Sequence, residues 1–331
     1  MRRVITAILV LILTSMIVFT IFFMGPKNPA KSLCEKQQRC TPAKLATLEH
    51  RMGLDKPLHR AYGDWAKGLL VGRTIEYSDT ESYECSAPCL GISYTSNREV
   101  TDELKEKYPA TLSLAVGGSL LYLTIGVIAG VFAARYRGRF IDRALVTTTL
   151  VISAIPYYLI ALLAWIFLTQ RNHFFADTTY KPMFDGGFHP IAWAAALLLP
   201  WLVLGLTNAT SYSRYTRGQM VETLGEDYIR TAVAKGQKEN VVVFRHALRA
   251  AIIPVVTIFG LDFATLLGGT VFTEQIFSID GMGRWALQAV VGRPDIPVVT
   301  ATVLVAAGFI VFSNLVVDVF YSFLDPRVRL A

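Results

Sequence analysis

The chain has 331 residues, of which 53% are hydrophobic and only 17% charged. A soluble domain carries roughly 25% charged residues, so the composition excludes an ordinary water-soluble enzyme. The formal net charge of +7 would suggest nucleic acid in a soluble protein, but in an oily chain it points to basic cytoplasmic loops, and no nucleic-acid partner is expected. A spanning helix needs about 20 apolar residues, because each residue rises 1.5 Å and the hydrocarbon is ~30 Å thick. Taken in chain order, six segments qualify: Val4–Met24, Pro109–Ala134, Ile141–Thr169, Pro190–Tyr212, Ala250–Thr273 and Val298–Leu324. The fourth and fifth contain Pro200 and Pro254, which membrane helices tolerate. The expected fold class is an all-α membrane protein. Its expected parts are an uncleaved anchor over 1–24, an outer loop domain over 25–108, a core over 109–324 and a tail over 325–331.

Basic residues set the orientation. Arg2 and Arg3 precede the first span, and Arg135, Arg137, Arg139 and Arg143 lie between spans two and three. Arg214, Arg217, Arg230, Lys235, Lys238, Arg245 and Arg249 separate spans four and five, and Arg327 and Arg329 follow span six. These alternate loops share one side, which the positive-inside rule makes cytoplasmic, with both termini inside. The outer loop then holds all four cysteines: Cys34, Cys40, Cys85 and Cys89. An oxidising compartment favours disulfides there, and the C-x5-C and C-x3-C spacings suit structural zinc poorly. Four cysteines allow three pairings; proximity favours Cys34–Cys40 with Cys85–Cys89, while crossed pairs would tie the loop together better.

No phosphate-cradling Gly-x4-Gly-Lys-Ser/Thr loop occurs, nor a metalloprotease or serine-hydrolase motif, so no catalytic residue, metal or cofactor is expected in this chain. If ATP drives it, another chain binds ATP and magnesium. Asp262 sits near the middle of span five and Asp318 in the last third of span six. Intramembrane acids are functional candidates by default, weighed against carboxylates that accept local hydrogen bonds inside a bundle. After span five, Phe277, Met282, Trp285 and Ala289 fit one apolar side of a short helix, expected at the membrane–water interface.

The long polar stretch from Thr223 to Leu248 is organised. Thr223 and Glu226 fit a capping box, with Glu226 and Asp227 in a first turn. Ile229, Ala232 and Val233 share a face, Lys235 suits a last turn, and Gly236 is a natural stop. Phe244, Ala247, Leu248, Ala251, Ile252 and Val255 continue at helical spacing into span five. A helix of this length is marginal alone, so it must pack on its own protein, on lipid, or on a partner.

These residues resemble the signature loop of ABC-importer permeases, whose pattern is E-A-A-x3-G-x9-I-x-L-P. Arg230, Thr231 and Ala232 stand at E-A-A, Gly236 at the glycine, and Leu248 at the leucine, with a proline later at Pro254. The variant "DYIRTAVAKG…RHALRAAIIPV" is similar to that of the dipeptide and oligopeptide (peptide/nickel) permeases. "MGLDKPLHRAYGDWAKGLL", "YPATLSLA", "LLGGTVFTEQIFSIDGMGR" and "NLVVDVFYSFLDPRVRL" extend the likeness from about Met52 to Leu330, including Asn314, Asp318, Asp325, Pro326 and Arg327. The cysteine-bearing stretch around 76–92 departs from the pattern, and Asp262 stands where an amide is usual. The resemblance implies six transmembrane helices in the type I ABC-importer permease fold and a coupling helix at about 223–236, carrying Glu226, Asp227, Tyr228, Arg230, Ala232, Lys235 and Gly236. It implies two ATPase subunits, a second homologous permease, an extracytoplasmic binding protein and the bacterial inner membrane, with peptides, nickel chelates or haem as cargo. Asp262, Trp285 and Asn314 are the candidates for the translocation path. The reading from another class is a secondary transporter or channel without ATP, which has no need of an ordered polar helix in that loop and more often shows internal repeats. A membrane-embedded hydrolase ranks below both, since no nucleophile and base occupy neighbouring spans.

Overall fold

The computed structural model describes residues 2–23, 30, 31, 34, 40–78, 81–175, 179–184, 187–291 and 295–324. Its chain contacts fall into two units, one of residues 1–111 with 280–311 and the other of 112–279 with 312–331.

In the first unit, α1 (Arg2–Phe23) is apolar on nearly every side, as a lipid-facing helix must be. Thr41 caps α2 (Pro42–Arg51) by accepting the Lys44 N–H, and Pro42 occupies the first turn, where a missing N–H is harmless. α3 (Leu58–Val71) lies against the end of α1. Phe19 meets the rings of Tyr62 and Trp65 at 5.6 and 5.8 Å, and Ser15 and Tyr62 share a 2.9 Å hydrogen bond. Gly72 ends α3 at φ +78, and a β-carbon there would stand 2.7 Å from the Cys85 carbonyl oxygen, so only glycine turns the chain into the next element, a hairpin. That hairpin, β1 (Arg73–Ser78) and β2 (Glu81–Cys85), is antiparallel with Arg73 opposite Cys85, and it is a small addition to the expected all-α fold.

The cysteines pair as Cys34–Cys40 and Cys85–Cys89, with Cα separations of 5.1 and 5.5 Å. Crossed pairing and zinc ligation are thereby set aside. The remainder of the first unit closes on residues far along the chain. Trp285 and Ala289 of α11 (Met282–Val291) pack with Leu90, Val100, Val298, Val299 and Ala301. The buried Asp295 carboxylate accepts hydrogen bonds from Ser93 Oγ at 2.6 Å, Thr95 Oγ1 at 2.8 Å and the Thr95 N–H at 3.1 Å.

The second unit is built from spans. α4 (Val100–Arg135) begins nine residues before the expected edge at Pro109, which the helix contains, so the expected boundary between outer domain and core lies inside one continuous helix. α7 (Pro190–Leu224) packs on α4 through glycine. A β-carbon on Gly117 would be 2.1 Å from the Trp201 ring, on Gly126 2.4 Å from Tyr212 Cβ, and on Gly130 2.5 Å from Thr216 Cβ and 2.7 Å from the Ser213 carbonyl. In lipid, helices associate through such close backbone approach, and Gly126 and Gly130 form a small-x3-small pair. The expected third span is not one straight helix. α5 (Phe140–Ala154) and α6 (Tyr157–Ala164), continued by a π-helical turn over Trp165–Arg171, meet at 91°. Pro156 lacks the N–H to continue the ladder, and Ile155 before it is extended.

The fifth expected span starts earlier and ends earlier: α9 runs Glu239–Leu267, with a π-helical stretch at Val242–Ala247, and the chain breaks before α10 (Val271–Ile276). α12 (Ile296–Leu324) closes the chain. Among the described residues, α4, α7, α9 and α12 are long and apolar enough to cross a membrane. The bent α5–α6 pair adds a fifth crossing if it counts as one, and α1 contributes the shorter apolar run Ile5–Ile21. Residues 325–331, with Asp325, Pro326 and Arg327, and the side chain of Asp318 lie outside the described residues.

Two outcomes are expected. Mass spectrometry of unreduced protein should find no alkylatable thiol and should map the two short-range pairs; a Cys40–Cys85 cross-link would contradict the pairing. Gly130→Val should destabilise the second unit by about 2 kcal/mol or more, since the side chain meets backbone atoms that cannot withdraw. Gly218→Ala, which faces open space in the same region, should be neutral or slightly stabilising in thermal unfolding in detergent.

Candidate functional site

The polar stretch between α7 and α9 forms a helix, though not with the expected start. α7 continues to Leu224, so Thr223 is buried in its last turn and cannot cap the next helix. The chain turns at Gly225, and Glu226 takes the N-cap position in extended backbone without a side-chain cap bond. The expected capping box is therefore absent: the Thr-x-x-Glu pattern straddles the end of one helix and the start of the next. α8 (Asp227–Ala234) carries Asp227 in its first turn, where the helix dipole favours an acid.

The glycine stop is present in full. Gly236 has φ +75, its N–H donates to the Val233 carbonyl at 2.9 Å, and the Gln237 N–H donates to the Ala232 carbonyl at 3.3 Å. This is the paired-bond geometry of a Schellman motif, which satisfies carbonyls a free helix end would leave exposed.

Packing decides which way α8 faces. Ile229 and Ala232 are buried among Val131 and Ala134 of α4, Met220 of α7, and Val242, Val243, Ala247 and Ala251 of α9. Val233, expected on that face, is instead 58% exposed. The buried seam is one residue pair wide, because at 100° per residue Val233 turns away from Ala232. Ala232 is thus small for its own protein's sake, since it packs inward against α4, α7 and α9 rather than outward. The outward face carries Tyr228, Arg230, Val233, Lys235 and Gly236. Burial, then Glu226, pushes the Tyr228 phenol above its ordinary value. Arg230 and Asp227 approach at 3.5 Å, both well solvated, so that pair adds little.

Sequence reasoning missed the contacts that brace this platform. The buried Asp142 carboxylate accepts two bonds from Arg217, at 2.6 and 2.9 Å, and one from the Gly138 N–H at 2.9 Å. Arg135 donates to Glu239 at 3.0 Å. In the sequence these arginines read only as a topological signal; an acid among them, at Asp142, was the available clue.

The path candidates separate. Asp262 is exposed on α9 and accepts the Tyr212 hydroxyl at 2.7 Å, and Tyr212 lies 4.7 Å from the Tyr122 ring. Asn314 is exposed on α12. Trp285 is buried in the core of the first unit, so the expected surface helix face is corrected: α11 spends its aromatic face on Leu90, Val100 and the start of α12.

A chain of several apolar helices, with a short amphipathic helix rooted across the ends of three of them, has the build of a multi-pass membrane protein. Residues 126–330 match the family described as binding-protein-dependent transport system inner membrane component, and residues 1–115 match the N-terminal family of the same membrane components. The chain is 33% identical to the dipeptide transport system permease protein DppB of Alkalihalophilus pseudofirmus, over 99% of this chain and 98% of that one. It is 36% identical to the di/tripeptide transport system permease protein DppB of Pseudomonas aeruginosa, over 95% and 94%. With the dipeptide transport system permease protein DppB of Escherichia coli it shares 35%, again over 95% and 94%. The chain belongs to the family of binding-protein-dependent transport system inner membrane components. It is a multi-pass inner-membrane protein that works with other subunits of its transport system.

Ile229 offers a direct check of the platform. Ile229→Ala should cost about 2–4 kcal/mol where the helix docks, without touching the apolar surface of the spans. Limited proteolysis should then cut within 225–240 faster than in the parent; unchanged cleavage there would mean α8 is held by something other than this seam.

Proposed function

We propose that the chain is one permease subunit of an ATP-driven importer and forms half of a pathway for di- or oligopeptides delivered by a binding protein. The peptide cargo rests on the relatives, whose names specify dipeptide and di/tripeptide transport. ATP hydrolysis belongs to two separate ATPase subunits, and a second, homologous permease completes the pathway. The Arg-rich loops and both termini face the cytoplasm.

One observation carries the mechanism. α8 is rooted by Ile229 and Ala232 in the ends of α4, α7 and α9, while Tyr228, Arg230, Val233 and Lys235 point away. A groove on an ATPase that takes the outward face therefore grips three spans at once. When ATP closes two ATPases together, the two coupling helices of the permease pair are drawn with them, and the spans reorient. Tyr228 and Val233 supply apolar anchor area, and Arg230 and Lys235 supply charge for an acidic groove rim.

Gly236 separates docking from folding. A β-carbon there meets nothing, so a substitution costs only backbone strain at φ +75, about 1–3 kcal/mol, and more for a β-branched residue. Gly236→Val should leave the spans inserted, lower ATPase co-purification and reduce uptake of a labelled dipeptide. Gly236→Asn should be milder, because Asn tolerates this backbone. Glu226→Ala should be close to neutral, since its side chain caps nothing. Parental ATPase recovery and uptake with Gly236→Val would remove α8 as the coupling element.

A further inference from the structure

The first unit carries an open cavity of ≈ 470 Å³, within the roughly 300–1,000 Å³ range of small-molecule sites. Its walls come from the ends of two membrane helices and from the segments between them: Phe19 and Phe23 of α1, Trp65 and Lys67 of α3, Arg73 of β1, and Thr300 of α12. Phe23 is the last residue of α1, and the cavity also reaches Ile296, the first residue of α12. A cavity bounded by the places where two apolar helices stop lies at the depth of lipid headgroups, where aromatic rings also collect.

The charges in this cavity do not cancel. Lys56 is paired with Asp64 at 3.1 Å, and His50 with Asp55 at 2.7 Å. Among the described residues, the Arg73 and Lys67 side chains enter no hydrogen bond or ion pair, and Arg73 Nε is buried without a partner. Burial holds the Arg73 guanidinium below its ordinary value, the expected direction for a cation lacking a direct counter-ion. The slot that holds it is shaped for it. A β-carbon on Gly68 would press on Arg73 Cδ at 2.8 Å, and one on Gly91 would lie 3.5 Å from an outer guanidinium nitrogen. A half-buried guanidinium whose Nε is cut off from water is costly unless something anionic completes it. Its planar fork matches phosphate oxygens.

We propose that this cavity holds the headgroup of an anionic phospholipid, its phosphate oxygens on Arg73 and Lys67. The acyl chains run along the exposed flank of α1, past Ile21 and Ile17, which are 61% and 55% exposed. Inorganic phosphate shares the anionic chemistry but leaves the Phe19, Phe23 and Trp65 wall unused.

The test uses the intact importer purified in mild detergent and read by native mass spectrometry with added lipid. Phosphatidylglycerol should be retained on the parent, and diacylglycerol, with the same chains but no phosphate, should not. Arg73→Gln should reduce retained phosphatidylglycerol roughly fivefold or more, and Arg73→Lys should recover part of it. Equal retention of the two lipids by the parent overturns the proposal without recourse to any variant, as does unchanged retention in a folded Arg73→Gln protein. Displacement of the lipid by millimolar inorganic phosphate would reassign the site to a free anion, and displacement by a dipeptide would reassign it to cargo; either result overturns the lipid assignment.

Discussion

The second unit depends on how closely α4 and α7 approach. Where Gly117, Gly126 and Gly130 lie, no β-carbon fits between the backbones. Lipid gives helices no hydrophobic reason to associate, so contact at this range, with its dense dispersion, has to supply it. The seat of α8 inherits the resulting spacing. That spacing places Met220 beside Val131, which makes the seat that Ile229 and Ala232 occupy. It also fixes α7, from which Arg217 reaches Asp142.

The membrane interior is furnished more sparingly. Tyr122, Tyr212 and Asp262 form a chain of rings ending in a carboxylate, with one strong hydrogen bond at its end. Asp262 is also exposed on α9, so it combines the local donor of a structural carboxylate with the open face of a functional one. Trp193 and Trp201 both donate to Ser113, one to its hydroxyl and the other to its carbonyl, which pins α4 to α7 a second time through polar contacts.

Features governed by local chemistry were legible from residues alone. Gly236 reads as a helix stop because a left-handed backbone is a property of one residue and its neighbours. Apolar segments read as spans because lipid solubility is additive along a helix, and among the described residues four of the six expected, or five with the bent α5–α6 pair, are long and apolar enough to cross. The edges failed where an apolar count cannot see past the bilayer: α4 starts at Val100 and α7 runs on to Leu224, in polar sequence that pairs with protein. Thr223 and Glu226 misled because a capping pattern does not reveal that the preceding helix has not ended. Proline was ambiguous for a similar reason. Pro200 and Pro254 sit inside continuous helices while Pro156 turns the chain through 91°. Trp285 was misplaced because an amphipathic helix has the same period against lipid as against protein, and its true partners, Leu90 and Val100, are nearly two hundred residues away.

That last distance bears on how the molecule is made. The first unit is assembled from two stretches far apart in the chain, 1–111 and 280–311, and neither disulfide joins them, since each closes a ring of a few residues. When the ribosome has delivered the hairpin and its disulfide, Leu90 has no Trp285 to cover it and Ser93 has no Asp295 to bind. The early segment must wait, with its apolar surface uncovered, while the intervening spans are threaded into the bilayer. Completion of this unit is therefore among the last events of biogenesis. A chain truncated before α11 loses the core of its first unit as well as α12.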